Sequence, residues 1–238
     1  MRFVRADAGG EAAGELARAA EMLLAAEGGG RISGASGDEL ALASEALVRV
    51  GEYARAWSIW KQLLERGALG DVTGRDGGAL LDAGFTGRAM AAPGFGWAMA
   101  GEEGADVRAG SPPGTAKIEL TGGQPERFAV LWQRVRLDEG GRWVLRFEAS
   151  ANGDRPLDGH FFWVMAQEGE DAEVVRPVEA AGAEWSENAL SWDVESGFRR
   201  LSLVYRRPLG SARWSGELRI RNLSLRRELE ERARSERE

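Results

Sequence analysis

Two periodicities divide this chain. Up to Gly67 the apolar residues recur at helical spacing. Leu16, Ala19, Ala20, Leu23 and Leu24 share one face of a helix predicted over Glu11–Ala26, which Gly28-Gly29-Gly30 stops. Ser36-Gly37-Asp38-Glu39 opens a second helix with Ser36 or Asp38 as N-cap, and that helix ends near Gly51. A third runs from about Glu52 to Arg66 and stops at Gly67. Ala, Leu and Glu, which dominate this stretch, are strong helix formers.

Beyond a polar, glycine-rich connector the period changes to two, the mark of a half-buried strand. Trp143, Leu145 and Phe147 alternate with Val144, Arg146 and Glu148; Leu201, Leu203 and Tyr205 alternate with Ser202, Val204 and Arg206. Further strands are predicted over Phe95–Ala100, Lys117–Leu120, Phe128–Leu137, Phe161–Gln167 and Ala189–Val194. Asp138-Glu139-Gly140-Gly141 is a tight-hairpin signal between two of them. In the last strand Leu218 and Ile220 share one face while Leu223 and Leu225 fall on the other, so a β-bulge is expected near Arg221-Asn222. All seven prolines and seven of the nine tryptophans lie after residue 90, which sharpens the division. The fold class that follows is α + β and multidomain: a short helical hairpin over 1–67, a connector over 68–78, an antiparallel β-sandwich over 79–227 and a charged tail over 228–238.

Composition narrows the chemistry. With no cysteine and one histidine, disulfides, thiol nucleophiles, thiolate zinc sites and multi-histidine metal centres are excluded, and no cofactor is expected. A formal net charge of −7 argues against a general nucleic-acid binder. No apolar run has the length of a transmembrane span, and no signal peptide is visible, so membrane insertion is not expected and the location stays open between cytoplasm and periplasm.

In the helical part, Leu42, Ala43, Ala46 and Leu47 precede Gly51-Glu52-Tyr53, Ala56 and Trp60. This spacing resembles a tetratricopeptide repeat. One or two such units do not bury a continuous core, so the hairpin leans on the rest of the chain or ends a longer array. Tyr53, Trp57 and Trp60 are candidates for docking a partner protein; the alternative is that they only pack the hairpin. In the strand-rich part the ordered segments Leu81-Asp82-Ala83-Gly84-Phe85 (as first strand), Pro93–Trp97, Trp132–Leu137, Gly159–Val164, Leu201–Pro208 and Ser215–Leu225 resemble carbohydrate-binding-module jelly rolls of the galactose-binding type. Such domains end tetratricopeptide proteins linked to bacterial exopolysaccharide systems. The resemblance implies a non-catalytic binding or scaffold protein with a polysaccharide or oligosaccharide partner. It also implies a structural Ca²⁺ in many relatives. The corresponding positions here are Thr86 and Arg221, and an arginine repels a cation, so no metal is expected.

A sugar site needs an aromatic plane with hydrogen-bonding side chains beside it. On the strand Phe128–Leu137, one face (Ala129, Leu131, Val135, Leu137, with Gln133 among them) reads as core, and the other carries Trp132, Arg134 and Arg136. Trp132 is the candidate stacking platform, with Arg134 and Arg136 able to hold hydroxyls, uronates or phosphates. Arg146, Glu148, Trp192 and Asp193 are candidate partners on neighbouring strands. The alternatives are a Trp132 that merely covers the sheet in a purely protein–protein module, or a glycan-active enzyme with Glu148 and Asp193 as its carboxylate pair. His160, without partner residues in pattern, reads as structural, and Trp97, Trp143 and Trp163 as core.

Overall fold

The computed structural model describes residues 36–67, 78–86, 94–109, 112–157, 159–167 and 174–228. The helix predicted over Glu11–Ala26, its glycine stop, most of the connector and nearly all of the charged tail lie outside them. The chain divides into two compact units, residues 1–71 with 92–95 and residues 72–91 with 96–238.

The first unit holds α1 (Gly37–Arg49) and α2 (Tyr53–Glu65). Ser36 is the N-cap: its hydroxyl accepts from the Glu39 amide (3.2 Å), and Glu39 Oε2 accepts from the Ser36 amide (2.7 Å). This capping box satisfies two of the amides that a helix start leaves orphaned, and Asp38 falls in the first turn, where its charge suits the helix dipole. Gly51, at φ +86°, supplies the left-handed residue that turns the chain into α2. Ala43, Ala46 and Ala56 are buried, and Ser44 Oγ donates to the Ala56 carbonyl at 3.2 Å, so small residues bring the two helices close. Phe95, expected to begin a strand, instead belongs to this unit. Its ring stands edge-on to Trp57 and Trp60 at centroid distances of 5.0 and 6.0 Å.

The second unit is an antiparallel β-sandwich. Its strands are β1 (Ala98–Met99), β2 (Ala105–Ala109), β3 (Thr115–Thr121), β4 (Arg127–Leu137), β5 (Gly141–Gly153), β6 (Phe161–Gln167), β7 (Val174–Pro177), β8 (Ser186–Val194), β9 (Gly197–Arg206) and β10 (Ser215–Arg227). One sheet has the order β1-β4-β9-β6-β7 and the other β2-β3-β10-β5-β8. Helices followed by a two-sheet antiparallel β-sandwich is the fold class that the periodicities imply, and the jelly roll is what the resemblance implies. The inward faces meet in one core that includes Trp163, Phe161, Tyr205, Trp214, Leu145, Leu201 and Ile220. Trp97, Trp143 and Trp163 are all buried there. The bulge expected near Arg221-Asn222 is present: the β10–β5 register shifts between Arg221 and Ser224, and Asn222 takes φ +53°. It lets Leu218, Ile220, Leu223 and Leu225 all point inward.

Two further expectations are corrected. Asp138-Glu139-Gly140-Gly141 is no hairpin: β4 and β5 do not pair, and the turn carries the chain from one sheet to the other. Each strand has one apolar face, and crossing the core turns both of those faces toward each other. Leu81–Phe85 is not a first strand but a buried turn. Asp82 and Phe85 take φ +47° and +46°, and the Phe85 amide donates to the Asp82 carbonyl. Gln133 explains why this turn sits where it does. Its side chain is fully buried on the core face of β4, accepting from the Leu81 amide (3.0 Å) and donating to the Leu81 carbonyl (2.8 Å). A buried amide group is satisfied by imitating a strand's pairing.

Candidate functional site

The register of β4 fixes where the predicted platform lies. After a bulge between Ala129 and Leu131, the side chains of Leu131, Gln133, Val135 and Leu137 are buried, while Trp132, Arg134 and Arg136 take the opposite parity on the outward face. Trp132 is partly exposed and sits between Ala98 on β1 and Ser202 on β9, two small residues that leave the indole room. Directly across from Arg134 is Arg200, and across from Arg136 is Phe198. Phe198 and Arg200 are both partly exposed, so two aromatic rings and three guanidiniums share one stretch of this face. Arg136 also meets Asp138 at 2.9 Å. Toward β6 the outward face closes over a small apolar cluster of Val164, Ala166 and Val204, with Phe162 against it.

The charge of this sheet is one-sided. Its five strands contain seven arginines (127, 134, 136, 176, 199, 200 and 206) and not one aspartate or glutamate, within a chain of net charge −7. Arg199 is buried and Arg176 donates to the Ser191 carbonyl across the sheet edge, which leaves Arg127, Arg134, Arg136, Arg200 and Arg206 at partly or fully exposed positions.

The remaining predicted partners are elsewhere. β5 and β8 belong to the other sheet, so Arg146, Glu148, Trp192 and Asp193 do not neighbour Trp132. Reading the β4–β5 turn as a hairpin is what brought them together. Trp192 points into the core and is 1% exposed, so it offers no stacking surface. Arg146 and Glu148 lie on the outward face of β5, and Asp193 is exposed on β8 opposite Arg142. Glu148 is occupied: Asn222 donates to one carboxylate oxygen at 2.5 Å and Arg221 to the other at 2.6 and 2.8 Å. The Asn222 amide first, then the Arg221 guanidinium, hold its carboxyl below the ordinary range. Arg221 in turn covers the Trp185 ring at 4.0 Å from its centroid. An arginine bonded to Glu148 does not fit a calcium ligand set, and among the described residues no group of three or more acidic or histidine side chains is placed to hold a metal.

As a glycosidase pair Glu148 and Asp193 also fail on distance. Asp193 lies opposite Arg142, six residues along β5 from Glu148. That is ~20 Å at strand rise, beyond the ~9.5 Å at which two carboxylates flank one bond. His160 is buried, with Nδ1 2.8 Å from the Leu157 carbonyl and its ring beside Tyr205, so it is a structural residue. In the first unit Trp60 is fully buried and stacked 5.8 Å from Trp57. It therefore packs the hairpin rather than offering itself to a partner, whereas Tyr53 and Trp57 keep partial exposure.

Phe198 and Arg200 escaped the sequence reading. The inward parity of Leu201, Leu203 and Tyr205 already put them outward; what the sequence did not tell was that β9 lies beside β4. No helix among the described residues is long and apolar enough to cross a membrane.

No protein-family model matches the chain, and no curated protein sequence matches it either. Solved structures similar in fold include a family 4 carbohydrate-binding module (16% identity, TM-score 0.37, covering 56% of this chain and 85% of that one). A family 16 carbohydrate-binding module matches at 15% identity and TM-score 0.38, covering 60% of this chain and 95% of the other. The enzymatically active domain of tailspike protein 4 from bacteriophage CBA120 matches at 11% identity and TM-score 0.45, covering 63% of this chain and 21% of that one.

Proposed function

We propose that the sandwich is a non-catalytic module that binds an acidic polysaccharide along the outward face of β4 and β9. The observation that carries this reading is the one-sided chemistry of that sheet: its strands contain arginines and no carboxylate residue of their own, with Trp132 and Phe198 among the arginines. An indole or phenyl plane suits the CH-rich face of a sugar ring, and a guanidinium pairs with a uronate carboxylate in bidentate fashion. The same strands offer no acid or base for bond cleavage, which supports binding rather than hydrolysis. In this reading the helical hairpin is of tetratricopeptide type and docks a protein partner through Tyr53 and Trp57, which suits a part in exopolysaccharide assembly or export.

Affinity electrophoresis through gels containing a uronate polymer tests the proposal. The wild-type protein is retarded by polygalacturonate or alginate and not by a neutral glucan. Trp132→Ala loses that retardation while its melting temperature stays put. A wild type that runs freely through every uronate gel would leave only the purely protein-binding role.

A further inference from the structure

A cavity of about 400 Å³ opens at the end of the sandwich where the chain crosses between sheets. Its walls are Arg136 at the end of β4, Asp138 and Glu139 of the crossing turn, Trp143 of β5, Arg227 at the end of β10, and Gly78 and Ala79. The volume falls at the lower end of the ~300–1,000 Å³ usual for small-molecule sites. The wall at 78–79 is held by the fold itself: Gly78 bridges Leu225, and the Ala79 amide donates to the Leu225 carbonyl at 3.0 Å. Gly78 sits at φ +65°, and any Cβ there would run into the Leu225 carbonyl.

The lining differs in kind from the β4–β9 face. Two cations and two anions face the cavity, and they are matched. Arg136 pairs with Asp138 at 2.9 Å, and Arg227 pairs with Glu139. A charged ligand therefore gains no net attraction. What the lining does offer is donors (guanidinium N–H) and acceptors (carboxylate oxygens) side by side in one wall. The Trp143 indole N–H already donates to the Glu139 carbonyl at 3.2 Å and the ring is largely buried, so it adds only a little apolar surface to the wall. Hydroxyl groups donate and accept from one atom, so adjacent hydroxyls bridge a guanidinium and a carboxylate without breaking the pair.

We infer that this cavity is a second site for a neutral saccharide of one or two rings, either free or as the end of a chain. It goes beyond the acidic-polymer reading and does not depend on it: the two share Arg136, but the cavity lining omits Trp132, Phe198 and Arg200.

Ligand-observed NMR with neutral methyl pyranosides and disaccharides, alongside disaccharides internally linked in a longer chain, tests the inference. At least one neutral sugar should bind the wild type. Ala79→Leu, which adds bulk at the wall formed by residues 78–79, and the double variant Asp138→Asn/Glu139→Gln should each weaken it about tenfold or more, and Trp132→Ala should leave it unchanged. Binding of the free sugar with none of the chain-internal one identifies a soluble ligand or a chain end. Should Ala79→Leu fail to fold, the double variant decides alone. Silence across the neutral panel overturns the site, as does a sugar signal that vanishes in Trp132→Ala yet survives both cavity variants. A zwitterionic amino acid binding there in preference to every neutral sugar overturns the ligand class. Failure of the uronate gels leaves this result untouched, and the reverse holds too.

Discussion

The two outward faces of the sandwich handle charge in opposite ways. On the β2-β3-β10-β5-β8 sheet, charges of both signs alternate across the strands and pair with one another. Lys117 lies 2.7 Å from both Glu119 and Glu217, Arg219 also bonds Glu217, Arg108 bonds Asp106, and Arg221 bonds Glu148. Burial pushes the Glu217 carboxyl up, but its bonds to Lys117 and Arg219 outweigh that and leave it below the ordinary range. On the β1-β4-β9-β6-β7 sheet, nothing acidic is available to answer the arginines from within the strands. A lattice of matched pairs offers a charged ligand no net attraction and serves the fold. An excess of one sign within the strands, set among aromatic rings, costs the fold some self-repulsion and is what the proposed anionic ligand would answer.

Substitutions that separate the faces sharpen this contrast. The largest effect is expected from the element they share, the core. Gln133→Leu leaves the Leu81 amide and carbonyl unpaired, and urea unfolding should show a loss of about 2–5 kcal/mol. Next, Arg136→Glu with Arg200→Glu places two carboxylates on the one-sided face. Titration with oligouronates should find affinity down about a hundredfold, roughly 3 kcal/mol, at unchanged melting temperature; an unaltered affinity would break the comparison. Trp132→Ala should weaken the same binding by about tenfold, roughly 1.4 kcal/mol, with little salt dependence in the difference, because it removes a stacking plane and not a charge.

The smallest effect belongs to the paired face. Glu148→Gln should cost ~1 kcal/mol of stability at neutral pH, since the pair is half-exposed, and leave uronate binding alone. The pH sense follows from the lowered carboxyl. A folded-state pKa below the unfolded one gives stability that is complete above the ordinary value of 4.5 and is lost as pH falls through the lower, folded value. The stability gap between wild type and Glu148→Gln should therefore close on acidification below about 4.5. A gap that widens instead would mean that Glu148 is not held ionised by Asn222 and Arg221.

Much of this architecture was legible from alternation alone. β6 begins and ends where Phe161–Gln167 predicts, and the two faces of β4 separate cleanly because arginine and leucine differ so much in the cost of burial. Pairing partners were not legible. A short polar turn such as Asp138–Gly141 looks the same whether the chain reverses within a sheet or crosses to the other, since the turn residues are chosen by local backbone geometry and the destination by the whole core. β2 went unseen because Ala105–Ala109 has a single large apolar residue, and β7 because Val174–Pro177 is short and ends on a proline, which an edge position tolerates. Those gaps decided the site. Trp132, Arg134 and Arg136 are read from one strand, but Phe198 and Arg200 join them only once β9 is placed beside β4.

The comparison comes down to which face a uronate oligomer touches. Mapping backbone amide shifts of the isotope-labelled protein on adding an oligouronate answers this residue by residue. The account predicts perturbations gathered at 131–137 and 197–202, with 115–121 and 215–221 unmoved. Shifts concentrated on the paired face, or none on either, would contradict it.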